Sequence, residues 1–196
     1  LGPQKGFSCW AFDYDNDGWP DIFATSYDRS VEGAVRGLLG EPHDRQSNRL
    51  YRNLGGKGFQ NVTKEAGLDM VFVTMGSNFG DFNNDGFLDF YLGTGRPDYQ
   101  MIFPKKLYHN IKGQRFSDIS EAAGMAHLQK GHGVAFVDLD ADGDQDVFEQ
   151  MGGAYPVDSY VNMLYENPGF GNNCVSVELV GVESNRLGVG SRIRVD

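Results

Sequence analysis

Three short aspartate-rich segments, residues 13–21, 81–89 and 138–146, carry the side chains best suited to chemistry. In each segment an oxygen-bearing side chain stands at the first, third, fifth and ninth positions, and glycine stands sixth. A loop that supplies oxygens from alternate residues is typical of a site for a hard cation. The side chains that this spacing predicts as metal ligands are Asp13, Asp15, Asp17, Asp21, Asp81, Asn83, Asp85, Asp89, Asp138, Asp140, Asp142 and Asp146.

Calcium is the cofactor that these ligands favour. Ca²⁺ takes six to eight oxygens, whereas Mg²⁺ demands a stricter octahedron and transition metals prefer the His or Cys that the loops lack. Glycine at the sixth position allows a turn that points the next carbonyl inward, which predicts backbone ligation by Trp19, Phe87 and Asp144. A single Asp/Asn/Gly-rich segment is also typical of a solvated turn, but three at equivalent places favour metal binding.

The main competing metal architecture is the EF-hand, in which a glutamate at the twelfth loop position is a bidentate ligand. The third loop has Glu149 at that place, but the other two loops have Ala24 and Leu92. The segment before the third loop, beginning Gly131-His132, is a poor helix, and each loop leads into a β-type run. We therefore expect strands around the loops and an ordinary strand role for Glu149.

The acidity of the chain is local. The formal net charge is −10, and twelve of the 27 acidic residues lie in the three loops. This balance argues against nucleic acid as a partner. Binding three Ca²⁺ would offset six of these charges, so the acidity itself supports a bound cation.

The chain contains an internal repeat. The segment Leu-Tyr-x-Asn begins at Leu50, Leu107 and Leu164, with 57 residues between successive leucines. The segment Phe-x-x-Val/Ile-Thr/Ser occurs at 59–63 and 116–120, again 57 residues apart. The first unit is 11 residues longer than the second, and the excess lies between Tyr27 and Asn48. Insertions on a repeat scaffold usually form loops on one face, so this one is a candidate partner surface.

Each unit of about 57 residues predicts four short strands separated by turns, which is the pattern of a propeller blade. The predicted fold class is all-β, with about three four-stranded β-propeller-type blades forming a partial propeller over residues 1–167. Residues 168–196 depart from the repeat: alternating Val175, Val177 and Leu179 predict a strand of a different β module. We expect that the chain is a section of a longer protein and that three blades alone leave edges exposed.

The three loops and the repeated segments resemble the FG-GAP or VCBS repeat family. The resemblance spans about residues 6–167. The tail, through Ala154-Tyr155, Asn167-Pro168-Gly169, Ser184-Asn185-Arg186 and Gly188-Val189-Gly190-Ser191-Arg192, is similar to the start of an ASPIC/UnbV module, as in proteins similar to cartilage acidic protein. The resemblance implies a secreted, extracellular or periplasmic, calcium-stabilised propeller that serves as a binding or scaffold surface for a protein or glycan.

The sequence predicts no catalytic centre. The four histidines share no metal-ligand spacing, and no nucleophile-elbow or phosphate-loop motif occurs. The alternative function is a non-catalytic accessory part of an enzyme acting on polysaccharide or a secondary metabolite. Cys9 and Cys174 form no zinc or redox motif, and we expect them to be small apolar strand residues. No segment is apolar over the length that a membrane span needs.

Overall fold

The computed structural model describes residues 2–96, 102–153, 160–183, 185–191 and 193. Its strands are β1 (Gly6–Phe12), β2 (Asp21–Ser26), β3 (Arg49–Asn53), β4 (Phe59–Asn61), β5 (Thr74–Gly80), β6 (Asp89–Thr94), β7 (Lys106–Ile111), β8 (Arg115–Asp118), β9 (Gly131–Val137), β10 (Asp146–Met151) and β11 (Met163–Tyr165). The one helix among the described residues is α1 (Val31–Leu38).

The strands form three antiparallel sheets, one for each repeat, which confirms the all-β, propeller-like prediction. Blade 1 has the strand order β1-β2-β3-β4, blade 2 has β5-β6-β7-β8, and blade 3 has β9-β10-β11 in its described part. The register repeats as well: Phe12 lies opposite Asp21, Gly80 opposite Asp89, and Val137 opposite Asp146. Every blade is therefore a meander of sequential strands, the arrangement expected of a propeller blade.

The apolar cores lie between the blades. One cluster of buried residues joins Phe23 and Leu50 of blade 1 to Phe90 and Phe116 of blade 2. A second cluster joins blades 2 and 3. The ring centroids of Phe23 and Phe90 are 4.8 Å apart, a separation favourable for tilted aromatic pairs. The first strands also meet, since β5 contacts both β1 and β9. Each sheet thus covers its neighbour's apolar face.

The insertion between Tyr27 and Asn48 contains the helix rather than a plain loop. Ser30 caps its N-terminus, accepting a hydrogen bond from the Gly33 N–H at 3.0 Å. Glu32 and Arg36 pair across one turn at 3.1 Å. The insertion is therefore an ordered addition to blade 1, and the prediction of a loop there is wrong.

Other expectations also need correction. The strand predicted at Val175–Leu179 does not form, and the described residues after Tyr165 contain no strand. Blade 3 accordingly has three described strands rather than four. Both cysteines are free and exposed; Cys9 lies in strand β1 as expected, but Cys174 lies outside any strand. Residues 154–159, 184, 192 and 194–196, which carry part of the tail's resemblance, lie outside the described residues.

Candidate metal-binding loops

All three aspartate-rich loops lie at the same place in their blades. Each connects the first strand to the second: β1 to β2, β5 to β6, and β9 to β10. The predicted ligands of each loop are therefore brought together by one hairpin connection. The strands on both sides rule out an EF-hand, in which helices flank the loop, so the prediction of strands there is confirmed.

The backbone of each loop takes left-handed conformations at the same two places. The fourth residue has a positive φ in every loop: 57° at Asn16, 54° at Asn84 and 63° at Ala141. The sixth-position glycines have φ between 86° and 97°, the region that glycine enters without steric cost. The sequence predicted the glycine turn but not the left-handed fourth residue. Asparagine at this position in two of the three loops could have indicated it, because asparagine adopts left-handed conformations more readily than most residues.

The first aspartate of each loop is held by backbone N–H groups. Asp13 accepts from the Asp17 N–H at 3.1 Å and the Gly18 N–H at 2.8 Å. Asp81 accepts in the same way from residues 85 and 86, at 3.0 and 2.8 Å, and Asp138 accepts from Gly143 at 3.1 Å. These bonds fix the carboxylate orientation while leaving further oxygen lone pairs available to a cation.

The ninth aspartate is the buried member of each loop. Asp21 and Asp89 have no exposed surface and Asp146 is 3% exposed. Burial raises the pKa of Asp21 to about 6 and the pKa of Asp89 to about 8, although backbone N–H groups oppose the shift. A buried carboxylate with a raised pKa lacks a compensating positive charge. A bound cation would supply that charge.

In two of the loops, the carboxylates lie close enough together for each loop to bind an ion of its own. Ligand atoms of Asp13, Asp15 and Asp21 lie within 4.8 Å of one another, and the same holds for Asp138, Asp140 and Asp142. The second loop has an amide, Asn83, at its third position. The three loops thus offer carboxylate and amide oxygens, the ligand type that Ca²⁺ prefers.

The seventh residues, predicted to ligate through their carbonyls, have the same N–H contact in all three loops. The N–H groups of Trp19, Phe87 and Asp144 each donate to the fifth-position aspartate at 2.9 Å. This contact fixes the peptide between the sixth and seventh residues in the same way in each loop, and ligation by the seventh carbonyl stays a prediction.

The asparagine ending each Leu-Tyr-x-Asn segment is a loop-positioning residue that the sequence reasoning missed. The backbone N–H groups of Asn53, Asn110 and Asn167 donate to the ninth aspartate at 2.7, 2.7 and 2.9 Å. The Asn110 side chain also donates to the carbonyls of Leu88 at 3.1 Å and Tyr14 at 2.8 Å, the latter in the preceding blade's loop. The 57-residue recurrence of this asparagine was the available signal.

The residue before that asparagine reaches the loop in two blades. Arg52 pairs with Asp15 at 2.8 Å and lies 3.7 Å from Asp17. The His109 Nδ1 lies 3.1 Å from Asp89. The first loop therefore already carries one positive charge beside its predicted ligands.

The geometry agrees with a comparison to known families. Residues 13–92 match the FG-GAP-like repeat family. The matched range holds the first and second loops, and the third loop repeats their geometry outside it. No curated protein matches the chain. The matched range begins after β1, covers the rest of blade 1 and ends within β6 of blade 2. The described part of the chain has no helix that could cross a membrane.

Proposed function

We propose that the chain is a calcium-binding, non-catalytic β-propeller repeat module that acts outside the cytoplasm as a binding or scaffold surface. The observation that carries the proposal is the recurrence of one loop geometry three times, with oxygen ligands at the same places. Each recurrence includes the anchored first aspartate, the left-handed fourth residue and the buried ninth aspartate.

Charge supports a bound cation. Five acidic residues lie within nine positions in the third loop, and like charges at such spacing repel strongly without a counter-ion. Backbone N–H groups hold these carboxylates in place, so the folded chain already offsets part of the repulsion between them. A divalent cation in each loop would convert the repulsion into attraction.

The extracellular role rests on the FG-GAP-like repeat, and it predicts weak calcium binding. Extracellular calcium modules work at dissociation constants of about 10⁻⁴ to 10⁻³ M, and loops exposed at one end of each blade suit that range. Calcium there would stabilise the blades and hold their surfaces in a fixed arrangement. The partner would be a protein or a glycan.

The proposal is tested by thermal unfolding of metal-stripped protein with Ca²⁺, with Mg²⁺ and with EDTA. A ligand that binds only the native state adds about 2.7 kcal/mol per site at 100 times its dissociation constant. We expect Ca²⁺ to raise the melting temperature by several degrees, with a smaller effect of Mg²⁺. A melting temperature at pH 7 that EDTA leaves unchanged would contradict calcium binding.

A matched pair of variants separates the loops from general charge effects. Asp138→Asn removes one predicted ligand charge, so the calcium-induced rise in melting temperature should shrink. Asp44→Asn removes the same charge from a side chain that is 93% exposed and outside the loops, so it should retain the full rise. An equal loss in both variants would mean that calcium acts through bulk charge screening.

A further inference from the structure

An apolar cavity of about 510 Å³ lies between blades 2 and 3. Its apolar lining includes Leu107, Ala123 and Met125 from blade 2 and Val147 and Tyr165 from blade 3. It lies beside β11, whose strand partner among the described residues is β10. The cavity and one edge of β11 therefore open together.

The equivalent position between blades 1 and 2, one repeat earlier, is filled by packed side chains. The residues 57 positions earlier are Leu50, Ala66, Leu68, Phe90 and Tyr108, and all five belong to the buried cluster there. Strand β8 occupies that space: Phe116 is 5% exposed and its ring centroid is 4.8 Å from that of Phe90. The Phe116 N–H also donates to the Ala66 carbonyl at 2.9 Å. A strand with one aromatic side chain is thus what this lining accommodates.

The solvent exposure of equivalent residues differs between the filled position at blades 1 and 2 and the open cavity at blades 2 and 3. Tyr108 in β7 is 3% exposed, while its repeat counterpart Tyr165 in β11, which lines the cavity, is only partly buried. Ala66 is 2% exposed, while its counterpart Ala123 is exposed. Covering this apolar lining removes it from water, so the cavity favours an occupant.

Phe170 gives only partial cover. Its ring lies 5.3 Å from Phe82, which repeats the contact of 6.0 Å between Phe116 and Tyr14 one blade earlier. Phe170 nevertheless stays 56% exposed, and the cavity remains open beneath it. An aromatic side chain of another segment would fill the space that Phe170 leaves.

We propose that the cavity and the free edge of β11 form a docking site for an extended segment of a partner protein, which pairs with β11 and buries one aromatic side chain. Adding a strand to a sheet edge gives affinity through backbone hydrogen bonds, and the pocket for an alternate side chain gives specificity. The pattern for this pairing is β8 and the two residues after it: the Leu107 carbonyl accepts from the Ile119 N–H at 3.0 Å, and the Leu107 N–H donates to the Ser120 Oγ at 2.8 Å.

The test uses a fluorescent peptide with the sequence of residues 113–120, which already fits the equivalent lining, and the whole chain in saturating calcium. We expect saturable binding by anisotropy and slower hydrogen exchange at Met163–Tyr165. A peptide carrying Phe116→Ala should bind at least about tenfold more weakly, because it leaves the cavity empty. No binding at 1 mM peptide, or equal binding of both peptides, would overturn the proposal.

Variants of the chain show whether the place is open in solution. Ala123→Leu should weaken peptide binding and leave the melting temperature unchanged or higher, because the side chain enters free space. Ala66→Leu, its repeat counterpart, should lower the melting temperature because β8 fills that space. If Ala123→Leu destabilises as much, or if residues 163–165 are already protected without peptide, the chain's own tail or a second copy fills the site and the proposal is wrong.

Discussion

At the residue scale, the first loop differs from the others because a guanidinium group pairs with its carboxylates and would compete with a cation for them. Arg52 contacts Asp15 at 2.8 Å, so a divalent ion entering this loop meets a like charge a few ångström away. Because the Arg52 side chain is 45% exposed, water screens this repulsion and the effect on affinity is modest.

We expect Arg52→Gln to tighten calcium binding at the first loop by about two- to tenfold, the size of a screened charge interaction. Trp19 lies within this loop, so its energy transfer to bound Tb³⁺ reports on the site, and Ca²⁺ competition gives the affinity. Arg36→Gln is the matched control because Arg36 pairs with Glu32 on the helix. Weaker binding after Arg52→Gln would instead mean that Arg52 holds the ligands in position.

Much of the site at this scale could be predicted from the sequence, because ligand type and spacing are local properties of the chain. The glycine turns and the oxygen positions follow from residues 13–21 alone. The roles of Asn53 and Asn110 could not be predicted in the same way, because their hydrogen bonds join residues more than 20 positions apart. Such contacts depend on strand register and blade packing, which spacing along the chain does not fix.

At the element scale, β10 buries a carboxyl group that the sequence marked as an ordinary strand residue. Glu149 has no exposed surface, and its Oε2 accepts from the Tyr91 hydroxyl of β6 at 3.1 Å. Its Oε1 is buried without a hydrogen-bond partner. Burial raises the pKa of Glu149 to about 7, although the charge of Lys105 partly opposes the shift. The contact between β6 and β10 is therefore sensitive to protonation.

The pKa of Glu149 is about 4.5 in the unfolded chain and about 7 in the folded chain. The stabilisation from protonated Glu149 is therefore complete below pH 4.5 and is lost as the pH rises through about 7. Glu149→Gln cannot ionise, so we expect a smaller fall in melting temperature between pH 5 and pH 7.5 than in the unaltered chain. The scans use saturating calcium to hold the loops constant, and Glu121→Gln, on an exposed turn, serves as the control. Identical pH profiles for the unaltered chain and Glu149→Gln would contradict this assignment.

The sequence predicted the strands that recur in the 57-residue repeat, but not the helix and the tail, which lie outside it. Blade strands recur with the 57-residue period, so weak local signals reinforce one another. Helix α1 occurs once, and glycines at 33 and 37 lower its helix propensity. The structure requires Gly33, since a Cβ there would lie 2.5 Å from the Arg45 side chain. The tail at 175–179 has a strand pattern but no sheet partner in the described structure, and pattern alone does not provide one.

At the scale of the whole molecule, side chains at the fourth loop position connect successive loops. The Asn16 amide donates to the Gly86 carbonyl at 2.8 Å. The Asn84 amide donates to the Gly143 carbonyl at 3.1 Å and to the Asp144 side chain at 2.5 Å. Each acceptor peptide adjoins the seventh residue, a predicted backbone ligand. The order of one loop therefore supports the geometry of the next.

Asn84→Gly preserves the left-handed backbone of the second loop but removes its bond to the third. We expect calcium affinity at the third loop to fall by about two- to tenfold, the worth of one or two such hydrogen bonds. An NMR titration that follows the amides of Gly86 and Gly143 reads the two loops separately. Ala141→Gly is the control, because Ala141 has no side-chain amide. An unchanged Gly143 midpoint in Asn84→Gly would show that the loops bind independently.

Calorimetric titration of the metal-stripped chain shows whether each of the three equivalent loops holds one calcium ion. We expect saturable binding of three Ca²⁺ per chain, with dissociation constants of about 10⁻⁴ to 10⁻³ M or somewhat tighter. No calcium binding at concentrations up to about 10 mM, well above that range, would contradict it.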